Sequence, residues 1–361
     1  MAIDVDTLQK LRSEMEVPKL DLSWLNLGEE SHWGMRAKPG KRGLTLDEIE
    51  IGPYGEVPEH TDNRSIKPRG AFARPDAPRV PVTYAGRADT YSANSRLLYE
   101  EAVQRQWSSA TDIPWDSIKP LPDDMERAMC QLATFLTEVE FIAGDTPAQW
   151  LPQINSEHHE VKLFLLSQIM DEARHLDVFR KRALANGGGL LSSLPQDGLR
   201  VIIEAKDFTE MSAIMHVAAE GFVQSLFRMG EYIGQNEAEK RIFRLCGQDE
   251  SRHLGFGVMH LKHVMDTEPW RREEIHHYLD KVESTLAPDP TDEASGFVLF
   301  EALAILMGGG VKNFDRGLEM SIAVQRKRVN EYMHRLTVVG LGDRRERMYP
   351  MLRQFLDPAP N

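Results

Sequence analysis

The 361-residue sequence has little cysteine, no long hydrophobic run and no excess of positive charge. Its two cysteines, Cys130 and Cys246, are too few for a disulfide scaffold, and this scarcity is typical of a reducing compartment. The net charge of −13 argues against nucleic acid as a partner, because binding a phosphate backbone requires a concentrated basic surface.

Membrane-spanning and secretory segments are also missing. The most apolar stretch, residues 296–310, is too short to span a bilayer and contains Glu301. The first residues, 1–16, are amphipathic and acidic, without the apolar run of a signal peptide. We therefore expect a cytoplasmic protein with no membrane partner.

Sustained alternation of apolar and polar residues is absent as well, so the sequence predicts no β-sheet. Apolar residues recur instead at helical spacing, and proline or glycine marks the breaks. The predicted helices lie at about 93–107, 123–144, 156–184, 196–233, 237–265, 269–285, 292–308 and 313–338. We expect residues 93–361 to form one helical domain. Residues 1–92 should form an irregular extension that packs on the helices or on a partner subunit.

The sequence does contain one five-residue phrase in two copies, Asp-Glu-Ala-Arg-His at 171–175 and Asp-Glu-Ser-Arg-His at 249–253. In each copy Glu and His stand three residues apart, on the same face of a helix. Two such helices facing each other supply two Glu and two His to a pair of cations, with one further Glu from each of two other helices. The alternative is two coincidental polar helix faces, which the repetition of the whole phrase disfavours. The predicted ligands from the repeat are Glu172, His175, Glu250 and His253.

The Asp and Arg of each phrase have a predicted use beside the ligands. Asp171 and Asp249 each lie four residues before a ligand His, so they border the same helix face. A metal-bound imidazole usually donates its second N–H to a carboxylate, which these Asp residues could accept within or across the repeat. Arg174 and Arg252 would balance their charge; the alternative is an ordinary surface ion pair, which contributes little.

With these phrases, residues 93–266 resemble the ferritin-like di-iron carboxylate superfamily, in particular its oxygen-activating members. The two phrases resemble those of bacterial multicomponent monooxygenase hydroxylases. Residues 107–116 are similar to p-aminobenzoate N-oxygenase-like proteins. The resemblance implies an all-α fold, namely a ferritin-like four-helix bundle with extra C-terminal helices and an irregular N-terminal extension.

The resemblance also implies the two remaining ligands. Glu220 corresponds by position to the ligand of the third core helix. For the first core helix, Glu140 better matches the connection length of the second half, whereas Glu138 better matches the distance to Gly144 in the monooxygenases. We predict Glu140.

Four further residues bear on the reaction. Phe179 stands where ribonucleotide reductase small subunits carry a radical tyrosine, which disfavours a tyrosyl-radical subunit. Gln224 stands where the monooxygenases carry a threonine, and we predict that it is a catalytic residue beside the metals. His216, one turn before Glu220, is either an extra ligand of the N-oxygenase type or a buried histidine that supports the site. Cys246 either borders the site or is a small buried hydrophobe.

The function implied by the resemblance is O2 activation at two Fe ions, with Mn possible at one position. The predicted substrate is a small organic molecule that is hydroxylated or N-oxygenated. Electrons should come from an external donor such as a ferredoxin or a reductase, because no flavin, haem or iron–sulfur motif is present. The resemblance also implies a homodimer. The alternative is a non-catalytic, iron- or ligand-binding ferritin-like protein.

Overall fold

The computed structural model describes residues 4–15, 36–63, 66–72, 80–286 and 297–358. The chain divides into two compact units, residues 1–56 and 57–361. This division lies well before residue 93, the predicted start of the helical domain. The helical elements in the described part of the first unit are α1 (Val5–Glu14), α2 (Leu46–Ile49) and a 3-10 turn (Gly52–Tyr54).

The second unit is built of helices. The long ones are α4 (Asp123–Trp150), α5 (His159–Ala185), α10 (Glu237–Thr267), α11 (Arg272–Leu286), α12 (Phe297–Gly308) and α13 (Phe314–Val339). The shorter ones are α3 (Ser95–Gln104), α6 (Asp197–Ile203), α7 (Phe208–Met211), α8 (Glu220–Phe227), α9 (Gly230–Ile233), α14 (Arg344–Arg347) and α15 (Pro350–Arg353). The described ranges contain no β-strand, so the all-α prediction is confirmed.

Two predicted helices differ from those in the structure. Helix α4 does not stop near residue 144 but continues through Pro147 to Trp150. A proline so near the C-terminal end removes a single helical N–H, and the burial of Trp150, only 5% exposed, favours continuation. The predicted helix 196–233 is interrupted, and a π-helical stretch, Ser212–Ala219, joins α7 to α8.

Four helical segments of the second unit surround the centre. Helix α4 packs along α5, and α10 packs against both α5 and α8. The later helices cover this group, since α12 packs on α4 and α13 packs on α8 and α10. The predicted extra C-terminal helices are therefore part of the same packed unit. No helix in the described ranges is long and apolar enough to cross a membrane.

The described part of residues 57–92 contacts the bundle. Tyr84 donates its backbone N–H to the Gln153 carbonyl at 2.8 Å. Arg69 binds Glu160, with 2.6 Å between its Nη2 and the carboxylate Oε1. Burial opposes ionisation of Glu160, but the hydrogen bonds and charge of Arg69 outweigh it and lower its pKa to about 2. A buried ion pair therefore attaches this segment to the start of α5.

Candidate metal centre

Six acidic and imidazole side chains from four helical segments converge in the middle of the bundle. Helix α4 contributes one glutamate, α5 and α10 contribute a glutamate and a histidine each, and the first residue of α8 contributes the last glutamate. None of the six is more than 4% exposed, which is unusual for carboxylates. We call them the six-residue cluster: Glu140, Glu172, His175, Glu220, Glu250 and His253.

The cluster forms two overlapping groups, each able to surround one cation. In each group one ligand atom per residue lies within 4.8 Å of all the others. Position 1 is defined by Glu140, Glu172, His175 and Glu250, and position 2 by Glu172, Glu220, Glu250 and His253. Glu172 and Glu250 belong to both positions, so they could bridge two ions.

The ligand atoms face one another without forming ordinary hydrogen bonds. The Nδ1 atom of His175 lies 3.1 Å from Glu172 Oε2, and that of His253 lies 3.0 Å from Glu172 Oε1. Both Nδ1 atoms and both Glu172 oxygens are nevertheless buried without a hydrogen-bond partner among the described residues. Glu140, Glu220 and Glu250 each have one such oxygen as well. Orphaned buried polar atoms are rare in folded proteins, and seven of them belong to the residues of the two metal positions.

Charge balance also suits two divalent cations. Burial raises the pKa of Glu220 well above its ordinary value, with the nearby Glu250 and Glu172 adding to the effect. Burial raises the pKa of Glu140 in the same way. For His253, burial opposes protonation, but Glu172 and Asp171 outweigh it and raise the pKa. Without metal, protons therefore occupy the cluster; two divalent cations would balance its four carboxylates and leave both imidazoles neutral.

The flanking Asp and Arg residues form a buried brace across the repeat. Asp171 lies 3.2 Å from Nε2 of His253, and Asp249 lies 3.2 Å from Nε2 of His175. Each Asp therefore supports the histidine of the other phrase. Each imidazole in turn keeps its Nδ1 directed at the cluster, as a metal ligand requires.

The two arginines complete this aspartate–arginine brace. Arg252 donates to Asp249 at 2.6 Å and to Asp171 at 2.7 Å. Arg174 also contacts both aspartates, with 3.1 Å between its Nη2 and Asp249. Two arginines thus neutralise two aspartates in the core, and the surface ion pair considered from sequence is wrong for both arginines. The charges of the brace cancel within the brace, separately from those of the cluster.

Trp107 has a role that the sequence did not predict. Its indole Nε1–H donates to Asp249 Oδ2 at 2.7 Å, and its ring stacks on His175 with 6.4 Å between centroids. The Arg174 guanidinium lies 5.1 Å from the indole centroid. Asp249 therefore has one buried donor that Asp171 lacks.

A polar chain reaches Glu220 from the π-helical stretch. The amide of Gln168 donates to Glu220 Oε1 at 2.9 Å, and its oxygen lies 3.2 Å from His216 Nε2. His216 Nδ1 lies 3.0 Å from Ser212 Oγ. His216 is fully buried and belongs to neither metal position; burial lowers its pKa to about 3, so it is neutral. The sequence indicates part of this hydrogen-bonded series, because polar residues recur every four positions, at 212, 216, 220 and 224, in an otherwise apolar run.

The other residues singled out from the sequence belong to neither metal position. Glu138 is outside both positions, and its Oε2 lies 3.5 Å from the backbone N of Leu194. Gln224 is buried, donates from Nε2 to Ser251 Oγ at 3.1 Å, and lines a cleft of about 460 Å³. Burial raises the pKa of Cys246 to about 12, so it remains a thiol beside His175. Phe179 packs against Phe227, with 5.5 Å between ring centroids.

A small apolar pocket borders both metal positions. Its volume is about 20 Å³, room for a molecule the size of water or O2. Three cluster residues, Glu140, Glu220 and Glu250, form part of its wall. The remaining lining residues are Val139, Ile142, Ala143, Ile202, Met215, Ala219 and Val223.

Comparisons with known proteins identify the fold. No protein-family model matches the chain, and no curated protein matches it. Among solved structures, an R2-like ligand-binding oxidase with an aerobically reconstituted Mn/Fe cofactor has a TM-score of 0.52 and 16% identity, covering 68% of this chain and 92% of its own.

Two single-site mutants of R2-like ligand-binding oxidase, one with a Mn/Fe and one with an Fe/Fe cofactor, each match with a TM-score of 0.51 and 16% identity. Each of these matches covers 67% of this chain and 92% of the other. The chain thus has the ferritin-like helical fold of the R2-like oxidases, with the six-residue cluster in its interior.

Proposed function

We propose that this protein is an O2-dependent oxidoreductase that uses two metal ions, two Fe or Mn and Fe, held by the six-residue cluster. The observation that carries the proposal is the pair of four-residue positions sharing Glu172 and Glu250, with seven buried ligand atoms lacking hydrogen-bond partners. The Mn/Fe and Fe/Fe cofactors of the R2-like ligand-binding oxidases support the same metals here.

The donor set suits these ions. Carboxylates and imidazoles bind iron and manganese readily, whereas structural zinc sites favour cysteine and histidine. When bound in reduced form, two iron ions in such a set can bind and reduce O2. The aspartate–arginine brace would hold both imidazoles in the orientation that binding requires.

The apolar pocket supports oxidation of a bound molecule. Its aliphatic lining gives an apolar border to the side of the cluster formed by Glu140, Glu220 and Glu250. At about 20 Å³ the pocket accepts O2, whereas a larger organic substrate would require side chains such as Ile202 or Met215 to move. We propose such a small organic substrate, with Gln224 as a polar group at the edge of the site. Phe179 offers no phenol for a stable radical, which favours oxidation of the substrate.

The redox partner and assembly follow from the resemblance described above. An external ferredoxin or reductase would supply electrons, and the protein would act as a homodimer. Both are open to direct measurement, by reduction of the iron-loaded protein with a purified donor and by light scattering.

Metal analysis and O2 uptake test the proposal. Protein expressed with added iron should contain two metal ions per chain. After anaerobic reduction it should consume O2, with an optical change that decays faster when the right substrate is present. Fewer than two bound metals in iron-supplied protein would contradict the proposed centre. Two metals without O2 uptake would favour the non-catalytic, iron- or ligand-binding alternative.

A further inference from the structure

The two glutamates that belong to only one metal position have different surroundings. Glu220, at position 2, has its Oε1 occupied by the Gln168 amide at 2.9 Å, while its Oε2 has no partner. Glu140, at position 1, has no partner for Oε1, and its Oε2 lies 3.8 Å from Nδ1 of His175, itself a ligand atom. One carboxylate is therefore held through one oxygen by a residue outside the cluster, and the other has no such hydrogen bond on either oxygen.

The orientation of the Gln168 side-chain amide is set by its two hydrogen-bond partners, Glu220 and His216. When Glu220 binds a metal it is ionised and only accepts hydrogen bonds, so Gln168 must then present its NH2 group to Glu220 and its oxygen to His216. Nε2 of His216 must then carry the proton that is donated to Gln168. A neutral imidazole with its proton on Nε2 accepts at Nδ1, which matches a hydrogen bond donated by the Ser212 hydroxyl. Hydrogen bonds are therefore donated in a single direction, from Ser212 through His216 and Gln168 to Glu220.

The His216 imidazole has little freedom to move. Its ring packs edge-on against Phe256, with 5.4 Å between centroids and 76° between planes. Helix α10 also passes so close that a Cβ added to Gly257 would lie 2.3 Å from the His216 Cβ. His216 belongs to the π-helical stretch that ends immediately before Glu220, so backbone and ring are both positioned relative to the ligand.

We infer that Ser212, His216 and Gln168 are positioning residues that hold Glu220 as a one-oxygen ligand and make position 2 different from position 1. This inference rests on the proposed metal centre and adds which residues control one of its two positions. Glu140 has no such support, so it can bind through either or both of its oxygens. The two positions should then differ in metal affinity, and mutation of Ser212, His216 or Gln168 should affect position 2 alone.

Mn²⁺ titration of the full-length protein under anaerobic conditions tests this, with the EPR signal of free Mn²⁺ as the readout. Glu140→Ala leaves position 2 with all four of its ligands, and Glu220→Ala does the same for position 1. In the Glu140→Ala background, Gln168→Leu should weaken the remaining complete position by about 10–100-fold, the usual effect of losing a residue that orients a ligand. In the Glu220→Ala background, Gln168→Leu should leave the affinity unchanged.

A second pair of variants separates positioning from packing. His216→Gln keeps an N–H donor for the Gln168 oxygen and should retain most of the affinity of position 2, whereas His216→Leu should lose it. His260→Leu is the matched control, because His260 is equally buried and neutral but bonds to Thr209 and the Tyr91 carbonyl, away from the cluster. It should lower the melting temperature without changing the affinity of either position.

Two results would overturn the inference. One is an equal loss of affinity in both backgrounds, which would show a general structural effect of Gln168→Leu. The other is unchanged affinity at position 2 in folded Gln168→Leu and His216→Leu proteins. Failure of the proposed function is distinguishable from both, because it would appear in the unmutated protein, as fewer than two bound metal ions or as two bound ions without O2 uptake.

Discussion

The aspartate–arginine brace gives the sharpest prediction, because the two phrases of the repeat control for each other. Asp171 and Asp249 both bind Arg252, Arg174 and a ligand histidine, and both are buried. Only Asp249 also accepts the indole N–H of Trp107. Replacing either Asp by Ala leaves two buried arginines with one carboxylate between them, and removing one partner of a buried ion pair typically costs about 3–5 kcal/mol.

The two Ala variants should therefore differ in stability by the effect of losing the Trp107–Asp249 hydrogen bond. Asp249→Ala also leaves a buried Trp107 N–H without an acceptor, at a further cost of about 1–3 kcal/mol. The free energy of unfolding should thus fall more in Asp249→Ala than in Asp171→Ala by about that amount. In the Trp107→Phe background the donor is gone, so the two Asp variants should become equally unstable.

Urea unfolding of the metal-free protein, followed by far-UV circular dichroism, measures these differences. Metal is removed so that a change in metal affinity does not contribute to the free energy of unfolding. If the Ala variants do not fold, Asp249→Asn and Asp171→Asn provide a milder pair, since the amide keeps an acceptor oxygen. Equal destabilisation by the two Ala changes, or a difference that persists with Trp107→Phe, would refute the reasoning.

Three further results are expected. Glu250→Ala should remove both metals, because Glu250 belongs to both positions, and it should preserve helicity. Metal analysis and circular dichroism measure the two effects, and one ion that stayed firmly bound would contradict the prediction. Loading the metal-free protein with two divalent ions should release protons, because the pKa values of Glu140, Glu220, His175 and His253 are all raised, so metal affinity should rise with pH. A pH-stat titration without proton release would contradict it. The pKa of Glu160 is lowered to about 2, so its ionised form should add about 3 kcal/mol to the free energy of unfolding above pH 4.5. This contribution should be lost as the pH falls through 2. A Glu160→Gln variant with an unchanged acid unfolding transition would refute the prediction.

The sequence alone predicted the helices and the local part of the site. Glu and His three residues apart share a helix face whatever surrounds the helix, so the two phrases on α5 and α10 were recognisable before any packing was known. Residues 196–233 were predicted less well. Their apolar spacing is helical throughout, but it does not show that α6 and α7 are separate or that residues 212–219 form a π-helix.

Tertiary structure decided what depends on contacts between helices. Residues two apart point to nearly opposite sides of a helix, so the packing of α4 against α5 places Glu140 in the cluster and Glu138 outside it. Only the approach of α5 to α10 shows that each Asp supports the histidine of the other phrase, and that Trp107 joins one of them. The link from His216 through Gln168 to Glu220 likewise spans two helical segments, and sequence spacing carries no information about which side chains meet across such a gap.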